Sequence, residues 1–405
     1  MAVGDICKLR LEKITPGGEA LGRLDGKTVF VEMGAPDETV LCRIDEERNT
    51  WARAELLEIT EPSPVRTDAV CAFYGKCGGC NLQHIDYKAQ IDAKVSILYE
   101  TLSRIGGITA PETEIFTSPP YEYRNRMQFH CLRQAAKSEH DLKFGLMGRR
   151  SEEIIPVSDC PIAVHGIREL IRKSSHKGAK SAKDTEEQKK IILPVEKDRF
   201  TVFAKDDVLI NEGGIQRGKV KLLDKEIQAD AGVFFQSNCF MLEKLIIELR
   251  KTAEGNEYNI DHDLPMADLY CGVGTFALFL GSMFVKTFLA EENKAAVSLA
   301  RENLRGMNAE FFALRDTDWQ KAMLRSAGAF GFAAVDPPRA GLAPKLAAAL
   351  AQNGPSTLAY ISCSPPSLAR DSKELVKGGY ILKELKLFDF YPQTAHIESF
   401  AVFAK

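Results

Sequence analysis

The sequence predicts an α/β protein in which a parallel sheet with helices on both faces follows a small N-terminal β-barrel. From about residue 233 onward, predicted strands alternate with helical stretches, which is the pattern of a parallel sheet. Residues 4–59 instead contain short alternating strands separated by turns, which is typical of a barrel. A length of 405 residues exceeds one ordinary core, so we expect more than one domain.

The barrel prediction rests on strands and turns of regular spacing. Strands such as KTVFVEM and ETVLCRI are separated by the turn clusters PGG, LDG and GAPD. This alternation of apolar and polar positions predicts strands that are buried on one face. The segment EPSPV at residues 61–65 then closes the unit as a proline-containing linker.

An amphipathic helix is predicted after this linker, in IDYKAQIDAKVSILYETLSRIGG at residues 85–107. Its apolar positions recur at helical spacing, and the segment ends in two glycines. These positions are Ile91, Val95, Leu98, Leu102 and Ile105. Farther along, the charged segment from Lys173 to Lys190 has almost no large apolar residues. We therefore expect it to form a mobile loop inside a middle domain.

Composition limits the class of protein. The start, MAVGDICKLR, lacks the apolar stretch of a secretory signal, so we expect a cytoplasmic chain without disulfides. The apolar run from Tyr270 to Val285 is too short for a membrane span, and we expect no membrane partner. A net charge of −3 does not by itself indicate a polyanionic partner.

The segment 121–150 is nevertheless locally basic. Its basic residues outnumber its acidic residues, which fits either a solvated face or a phosphate-binding patch. The basic residues are Arg124, Arg126, Arg133, Lys137, Lys143, Arg149 and Arg150. Both interpretations stay open at the level of sequence.

A cofactor site is predicted in ADLYCGVGTFALF at residues 267–279. A strand reaches Asp268 and is followed by a turn in which Gly272 and Gly274 let the backbone approach a ligand closely. Alone, this pattern also fits a merely tight turn, because the third glycine of the dinucleotide fingerprint is missing. The next predicted strand ends in Glu291, whose carboxylate suits both ribose hydroxyls. Together the two features favour a ligand that contains adenosine.

Two more strand ends carry reactive side chains. AAVDPPRAGL places Asp336 at the end of a strand, before two prolines that fix the backbone. TLAYISC places Cys363 just beyond another strand, on the sheet edge where ligands bind. A lone cysteine at such a position is more often a small core residue, so the neighbouring motifs must decide its role.

Four of the ten cysteines have spacing that suggests a metal site. Cys71, Cys77 and Cys80 lie within CAFYGKCGGC, and Cys160 follows in SDCPI. Cysteine ligation alone does not separate zinc from an iron–sulfur cluster. The other cysteines outside the active-site motif are expected to be ordinary thiols: Cys7, Cys42, Cys131, Cys239 and Cys271.

The motifs taken together resemble those of the bacterial RNA uracil-5-methyltransferases, which act on tRNA or 23S ribosomal RNA. The similar segments are DPPRAGL, YISCSPPSLARD, AHIESFAVFAK, CGGCNLQHIDYKAQIDAK and YRNRMQFH, and residues 4–59 resemble the RNA-binding TRAM domain. The resemblance implies a Rossmann-like class I methyltransferase domain, a TRAM/OB-like barrel and a central iron–sulfur domain. It also implies S-adenosylmethionine and RNA as ligands.

The same resemblance implies domain boundaries. Residues 1–61 are expected to form the barrel, 62–82 and 115–232 the iron–sulfur domain, and 83–114 and 233–405 the methyltransferase domain. We expect the protein to be a monomer.

Individual roles are also implied by the resemblance. The contacts to S-adenosylmethionine fall on Gln236, Tyr270, Glu291 and Asp336, the nucleophile is Cys363, and the base is Glu398. The ligands of a [4Fe-4S] cluster, which is expected to shape the RNA-binding surface, fall on Cys71, Cys77, Cys80 and Cys160. Two departures are visible, because Ser364 and Thr275 stand where family members have asparagine.

These residue types suit the implied chemistry. Carbon 5 of uracil is a weak nucleophile, so a thiolate at Cys363 must first add to carbon 6. A carboxylate at Glu398 can then remove the carbon 5 proton. Two alternatives stay open: the same attack on cytosine, and an RNA-binding iron–sulfur protein without catalysis. Within uridine methylation, the cluster and the TRAM domain favour 23S ribosomal RNA over tRNA by resemblance.

Overall fold

The structure is a computed structural model that describes residues 1–132, 143–175, 198–255, 257–319 and 328–405. In these ranges, no helix is long and apolar enough to cross a membrane. Most of the predicted charged loop, from residue 176 onward, lies outside the described residues. Its first part is helical rather than a loop, because a helix at His165–Ser175 includes Lys173.

The N-terminal strands close into a five-stranded barrel, as predicted. The strands are β1 (Ile6–Ile14), β2 (Ala20–Leu24), β3 (Lys27–Val31), β4 (Thr39–Glu47) and β5 (Trp51–Glu61), in the order β1-β2-β3-β5-β4. Alternate side chains such as Leu9, Leu11, Val29 and Val31 fill its interior, which is how a barrel of this size forms a core.

The middle of the chain forms a second sheet. Its strands are β7 (Arg126–Leu132), β8 (Lys143–Met147), β9 (Ile154–Ile155), β10 (Arg199–Lys205) and β11 (Val208–Asn211), in the order β11-β10-β7-β8-β9. Helix α2 (His165–Ser175) packs on it over three contacting rings, Phe129, Phe144 and Phe200. A hairpin of β12 (Arg217–Leu222) and β13 (Lys225–Asp230) follows.

The C-terminal half supplies seven strands of an eight-stranded sheet, ordered β16-β15-β14-β17-β18-β20-β19-β6, and β6 comes from an earlier part of the chain. Its strands are β6 (Thr113–Phe116), β14 (Met266–Leu269), β15 (Thr287–Ala290), β16 (Ala309–Phe312), β17 (Phe332–Val335), β18 (Thr357–Ser362), β19 (Ile381–Phe388) and β20 (Glu398–Ala404). Strands β14 to β18 are parallel, as predicted, whereas β20 is antiparallel to β18 and to β19. This α/β fold with an N-terminal barrel agrees with the predicted fold class.

Both faces of this sheet are covered. Along β17, Phe332 and Ala334 enter one core, while Ala333 and Val335 enter the other, so the strand is apolar throughout. The helices are α1 (Tyr87–Thr101), α3 (Cys239–Glu254), α4 (Thr275–Leu280), α5 (Lys294–Asn303), α6 (Pro344–Asn353) and α7 (Pro365–Lys377).

Helix α1 confirms the predicted amphipathic helix but departs from it at its end. Ile91 and Leu98 are buried, whereas Ile105 is 46% exposed. The reason is a wider π-helical turn from Leu102 to Gly106 after α1, ending at Gly107 with φ of 65°. A π turn rotates the following side chains off the apolar face.

Candidate active site

The glycine turn after β14 forms the floor of the predicted cofactor site. Tyr270, Gly272 and Gly274 have φ of 61°, 53° and 80°, so the chain turns sharply before α4 begins. A left-handed tyrosine is strained, and such strain is concentrated at functional sites. Asp268 braces the turn, because its Oδ2 accepts a hydrogen bond from the backbone N–H of Ala277 at 2.9 Å.

Asp268 and Glu291 have different environments. Burial raises the pKa of the Asp268 carboxyl to about 7, and its Oδ1 has no hydrogen-bond partner among the described residues. Glu291 follows β15, and its Oε2 accepts from the Gly272 N–H at 3.2 Å. Asp268 therefore supports the turn from inside, while Glu291 stands at its open side.

The other predicted cofactor residues lie at the same sheet edge. The Gln236 side chain donates to Asp336 Oδ2 at 3.3 Å, and the Asp336 N–H donates to Leu269 O at 3.2 Å. Tyr270 follows Leu269 directly, so Gln236, Asp336 and Tyr270 are brought together from three parts of the chain.

Sequence reasoning missed two neighbours of Tyr270. Its hydroxyl donates to Asp316 Oδ2 at 3.1 Å, and its ring meets the buried Trp319 edge-on at 4.6 Å between centroids. Both residues follow β16, the edge strand of the sheet, which is separated from β14 by β15. The only sequence feature that could have indicated these two residues is their place just after a predicted strand, because no motif surrounds them.

Cys363 comes directly after β18, and Glu398 is the first residue of the neighbouring antiparallel strand β20. The register of β18 and β20 pairs Ser362 with Ser399, so the next step sets Cys363 opposite Glu398. Side chains directly opposite each other in such a pair have Cβ atoms roughly 4.5–5.5 Å apart. The thiol and the carboxyl group are thereby brought close together at the edge that carries Asp336.

The electrostatics of this point favour protonated groups. Burial raises the pKa of the Cys363 thiol to about 12, and Glu398 and Asp336 add to the rise. Burial, followed by the charge of Asp336, raises the pKa of Glu398 well above its usual range. Burial also raises the pKa of Asp336 to about 7, against the hydrogen bond from Gln236. Forming a thiolate here requires a compensating cation.

Arg339 is a cation that meets this requirement, since it lowers the pKa of the thiol and of the Glu398 carboxyl. Its Nη2 lies 3.4 Å from His396 Nδ1, and its carbonyl accepts from Ser367 Oγ at 2.6 Å. The loop packs closely against α7, because a Cβ at Gly341, where φ is 75°, would lie 2.5 Å from Asp371 Oδ2. The sequence did not reveal this role.

The four cysteines of the predicted metal site line one cavity. Cys71, Cys77, Cys80 and Cys160 all face a space of about 440 Å³ between the barrel and the middle sheet. Over the described ranges, no three Cys, His, Asp or Glu side chains are arranged to hold a single metal ion. The structure thus gathers the thiols without assigning a metal to them.

The thiols in this cavity are unfavourable places for negative charge. Burial raises the pKa of Cys80 to about 11 and that of Cys160 to about 12, and Arg124 acts in the opposite direction on both. A bound cation would compensate the thiolates directly. The donor set, four soft thiols around one cavity, suits iron or zinc.

Two of the cysteines that were expected to be ordinary thiols, Cys7 and Cys42, contact each other. Cys7 and Cys42 are register partners on β1 and β4, with Sγ atoms 3.5 Å apart. Both are free thiols, and their contact arises because strand register brings together residues that are far apart in sequence.

The basic segment is mainly a structural feature in the part that the structure describes. Arg150 Nε lies 2.7 Å from Glu32 Oε1 and Arg149 Nε 3.0 Å from Glu32 Oε2, which clamps the middle sheet to the barrel. Arg126 lies over the ring of the exposed Phe234 at 5.7 Å. Arg133 and Lys137 lie outside the described residues.

Two family models match this chain. The family model tRNA (uracil-5-)-methyltransferase matches residues 204–405, and the TRAM domain model matches residues 2–57. An uncharacterized RNA methyltransferase of Aquifex aeolicus is 31% identical, over 98% of this chain and 97% of the relative. The chain belongs to the RNA uracil-5-methyltransferase family.

A further relative and a solved structure are similar to this chain. A 23S rRNA (uracil(1939)-C(5))-methyltransferase of Pseudomonas entomophila is 29% identical, over 99% of this chain and 94% of the relative. The tRNA (uracil-54, C5)-methyltransferase of Pyrococcus abyssi, solved with S-adenosyl-L-homocysteine, shares the fold with a TM-score of 0.71. It is 22% identical and covers 98% of this chain and all of its own. The activity class is S-adenosylmethionine-dependent methylation of uracil carbon 5 in RNA.

Proposed function

We propose that this enzyme methylates a uridine of 23S ribosomal RNA through a covalent adduct on Cys363, with Glu398 as the base. The observation that carries the proposal is the strand register that sets Cys363 opposite Glu398. The 23S substrate is supported by the similarity to the Pseudomonas entomophila enzyme along nearly the whole chain. The alternative is tRNA, on which the Pyrococcus abyssi enzyme acts.

Cys363 begins the reaction. Its thiolate adds to carbon 6 of the uracil, and the electron pair of the carbon 5–carbon 6 double bond moves to make carbon 5 nucleophilic. Arg339 supports this step because it lowers the pKa of a thiol that burial otherwise raises. Ser364 and Ser367, whose hydroxyls are 3.0 Å apart, hold the loop that carries the nucleophile.

Glu398 ends the reaction. After methyl transfer, carbon 5 carries both a proton and the new methyl group, and a carboxylate must remove that proton so that carbon 5 and carbon 6 regain their double bond and the thiolate leaves. The side chain is 5% exposed, so water competes poorly for it.

Cofactor binding is proposed for Gln236, Tyr270, Glu291 and Asp336. The bound S-adenosylmethionine supplies an electrophilic methyl group on sulfur. Glu291 stands where a carboxylate can accept ribose hydroxyls, and its bond to Gly272 orients it. Asp336 and Gln236 lie between this turn and Cys363, so their bond orients side chains that border both ligands.

For the cysteine cavity we propose a [4Fe-4S] cluster held by Cys71, Cys77, Cys80 and Cys160. A cubane spreads its four ligands farther apart than a single tetrahedral ion does, which fits thiols that surround a cavity rather than converge on a point. The cluster would hold together the middle sheet and the loop before α1. The cytoplasmic location, the domain boundaries and the monomeric state stay predictions.

Release of tritium from carbon-5-labelled RNA tests the proposed function. Labelled uridine in 23S ribosomal RNA should release tritium with S-adenosylmethionine present, and labelled cytidine should not. Matched transcripts of tRNA distinguish the two RNA classes. Release from tRNA but not from ribosomal RNA would overturn the substrate assignment, and release from cytidine would overturn the choice of base.

A further inference from the structure

The segment that carries Glu398 has little structure of its own. Residues 389–397 connect β19 to β20 without forming a helix or a strand, and Glu398 is the first residue of β20. Yet Gln393, Thr394 and Ala395 are buried. The conformation of this segment must therefore be set by other parts of the chain.

Asn81 holds this segment at Gln393 and Ala395, shortly before Glu398. Its Oδ1 accepts from the Ala395 N–H at 2.9 Å, and its own N–H donates to Gln393 O at 3.1 Å. Its side-chain amide donates to Gly17 O at 2.9 Å. One side chain thus joins the barrel to a position three residues before the base.

The barrel approaches the same point with a glycine. Gly18 has φ of 82°, and a Cβ added there would overlap the Asn81 amide and lie 3.1 Å from the Ala395 Cβ. Only a residue without a side chain allows the turn of the barrel to pack so closely against Asn81 and Ala395. Asn81 also follows Cys80 and lines the thiol cavity, so three parts of the chain meet here.

We propose that the junction of Gly18, Asn81 and Ala395 positions the catalytic base, so that the barrel and the cysteine loop act on the proton-removal step. The proposal rests on the assigned role of Glu398. Cys363 does not depend on this junction, because its loop is held by bonds between Ser362 and Ser364. The junction therefore acts more directly on elimination than on nucleophilic attack.

Three glycine and asparagine variants test the junction. Asn81→Ala removes the bonds to Ala395 and Gly17, and Gly18→Ala inserts a methyl group from the barrel side. Gly26→Ala is the matched control, because Gly26 is in the same barrel, has φ of 77°, and has nothing within 4 Å of an added Cβ. The backbone strain is the same in the two glycine variants, and only one of them disturbs the junction.

Hydrogen exchange of the peptide 389–398 is the first readout, since it does not depend on activity. Exchange should accelerate in Asn81→Ala and Gly18→Ala but not in Gly26→Ala. The second readout is denaturing electrophoresis with RNA and S-adenosylmethionine. A misplacement of about 1 Å can cost roughly 100-fold, so kcat should fall by about 10- to 100-fold, with KM for RNA unchanged and methylated adduct accumulating.

Two outcomes would overturn the proposal. In the first, exchange in Asn81→Ala and Gly18→Ala is unchanged, or it accelerates equally in Gly26→Ala. In the second, exchange accelerates in the two junction variants, but their kcat stays normal and no adduct accumulates. A Glu398→Gln sample is run in parallel. If it traps no adduct, the role of Glu398 is wrong, whereas the exchange rates and kcat values still decide whether the junction positions the segment.

Discussion

Replacing Glu398 by Gln separates removal of the carbon 5 proton from nucleophilic attack by Cys363. Gln keeps the size of the buried side chain but cannot accept the carbon 5 proton, and general base catalysis is worth roughly 100- to 10,000-fold. We expect the lower half of this range, because Asp336, whose pKa is about 7, is a second carboxyl group at the same edge. Elimination should therefore slow by about 100- to 1,000-fold.

The same change should help nucleophilic attack. Glu398 is the largest charge effect that raises the pKa of Cys363, and a shift of one pKa unit corresponds to about 1.4 kcal/mol, or tenfold. Adduct formation should be undiminished, and it should be about tenfold faster for each pKa unit by which the thiol falls when Gln removes the charge of Glu398.

The assay is single-turnover mixing of RNA, S-adenosylmethionine and excess enzyme, with adduct measured by denaturing electrophoresis and methylation by labelled methyl groups. The adduct in Glu398→Gln should carry the methyl group and persist, while Cys363→Ala should give none. Normal turnover of the Gln variant would refute the role of Glu398, and adduct in the Ala variant would refute that of Cys363.

Three further predictions concern other parts of the chain. Arg339→Gln should raise the pKa of Cys363 by about one unit, the low end of the shift that a nearby charge causes, because Arg339 is exposed. Adduct formation at pH 7 should therefore slow about tenfold and recover when the pH rises by about one unit. A pH–rate profile that does not move would contradict this. Anaerobically purified protein should be brown with iron and sulfide in equal amounts, and Cys160→Ser should lower both while a barrel variant, Cys7→Ser, does not; stoichiometric zinc in a colourless protein would rule the cluster out. Lys94→Met should destabilise the fold by about 3–5 kcal/mol in urea unfolding, because Asp389, 2.6 Å away and fully buried, loses its charged partner. Adding Asp389→Leu to the same chain should restore much of the loss. Equal stability of the single variant and the wild type would show that the pair is not needed.

The sequence predicted the parts of the molecule whose information is local. The parallel strands, the barrel and the helix α1 follow from apolar periodicity and turn residues, because burial of one face imposes that periodicity. The strand ends that carry Asp268, Asp336 and Cys363 follow from the same reasoning. Their roles came from resemblance, since a strand end alone does not separate a nucleophile from a buried thiol.

What the sequence could not predict depends on pairing between distant segments. The meeting of Cys7 with Cys42 and the clamp of Arg149 and Arg150 on the barrel are set by register and packing. The same holds for Arg339, whose effect on Cys363 requires a tight loop that Gly341 permits. No periodicity encodes such contacts, because each depends on the tertiary arrangement of two elements.

The two ends of the reaction are held in different ways, and this difference has consequences for control. Cys363 follows directly from a central strand, so the sheet core fixes nucleophilic attack. Glu398 follows an irregular segment that is fixed by contacts from helix α1 and from the loop that contains Asn81. One example is the hydrogen bond that the Gln393 N–H donates to Gln90 Oε1. A change in the barrel or at the thiols can therefore affect proton removal through these contacts. Among the described residues, no equally direct contacts connect those parts to nucleophilic attack. An enzyme built in this way can capture its uridine first and release it only when the surrounding parts are correctly placed.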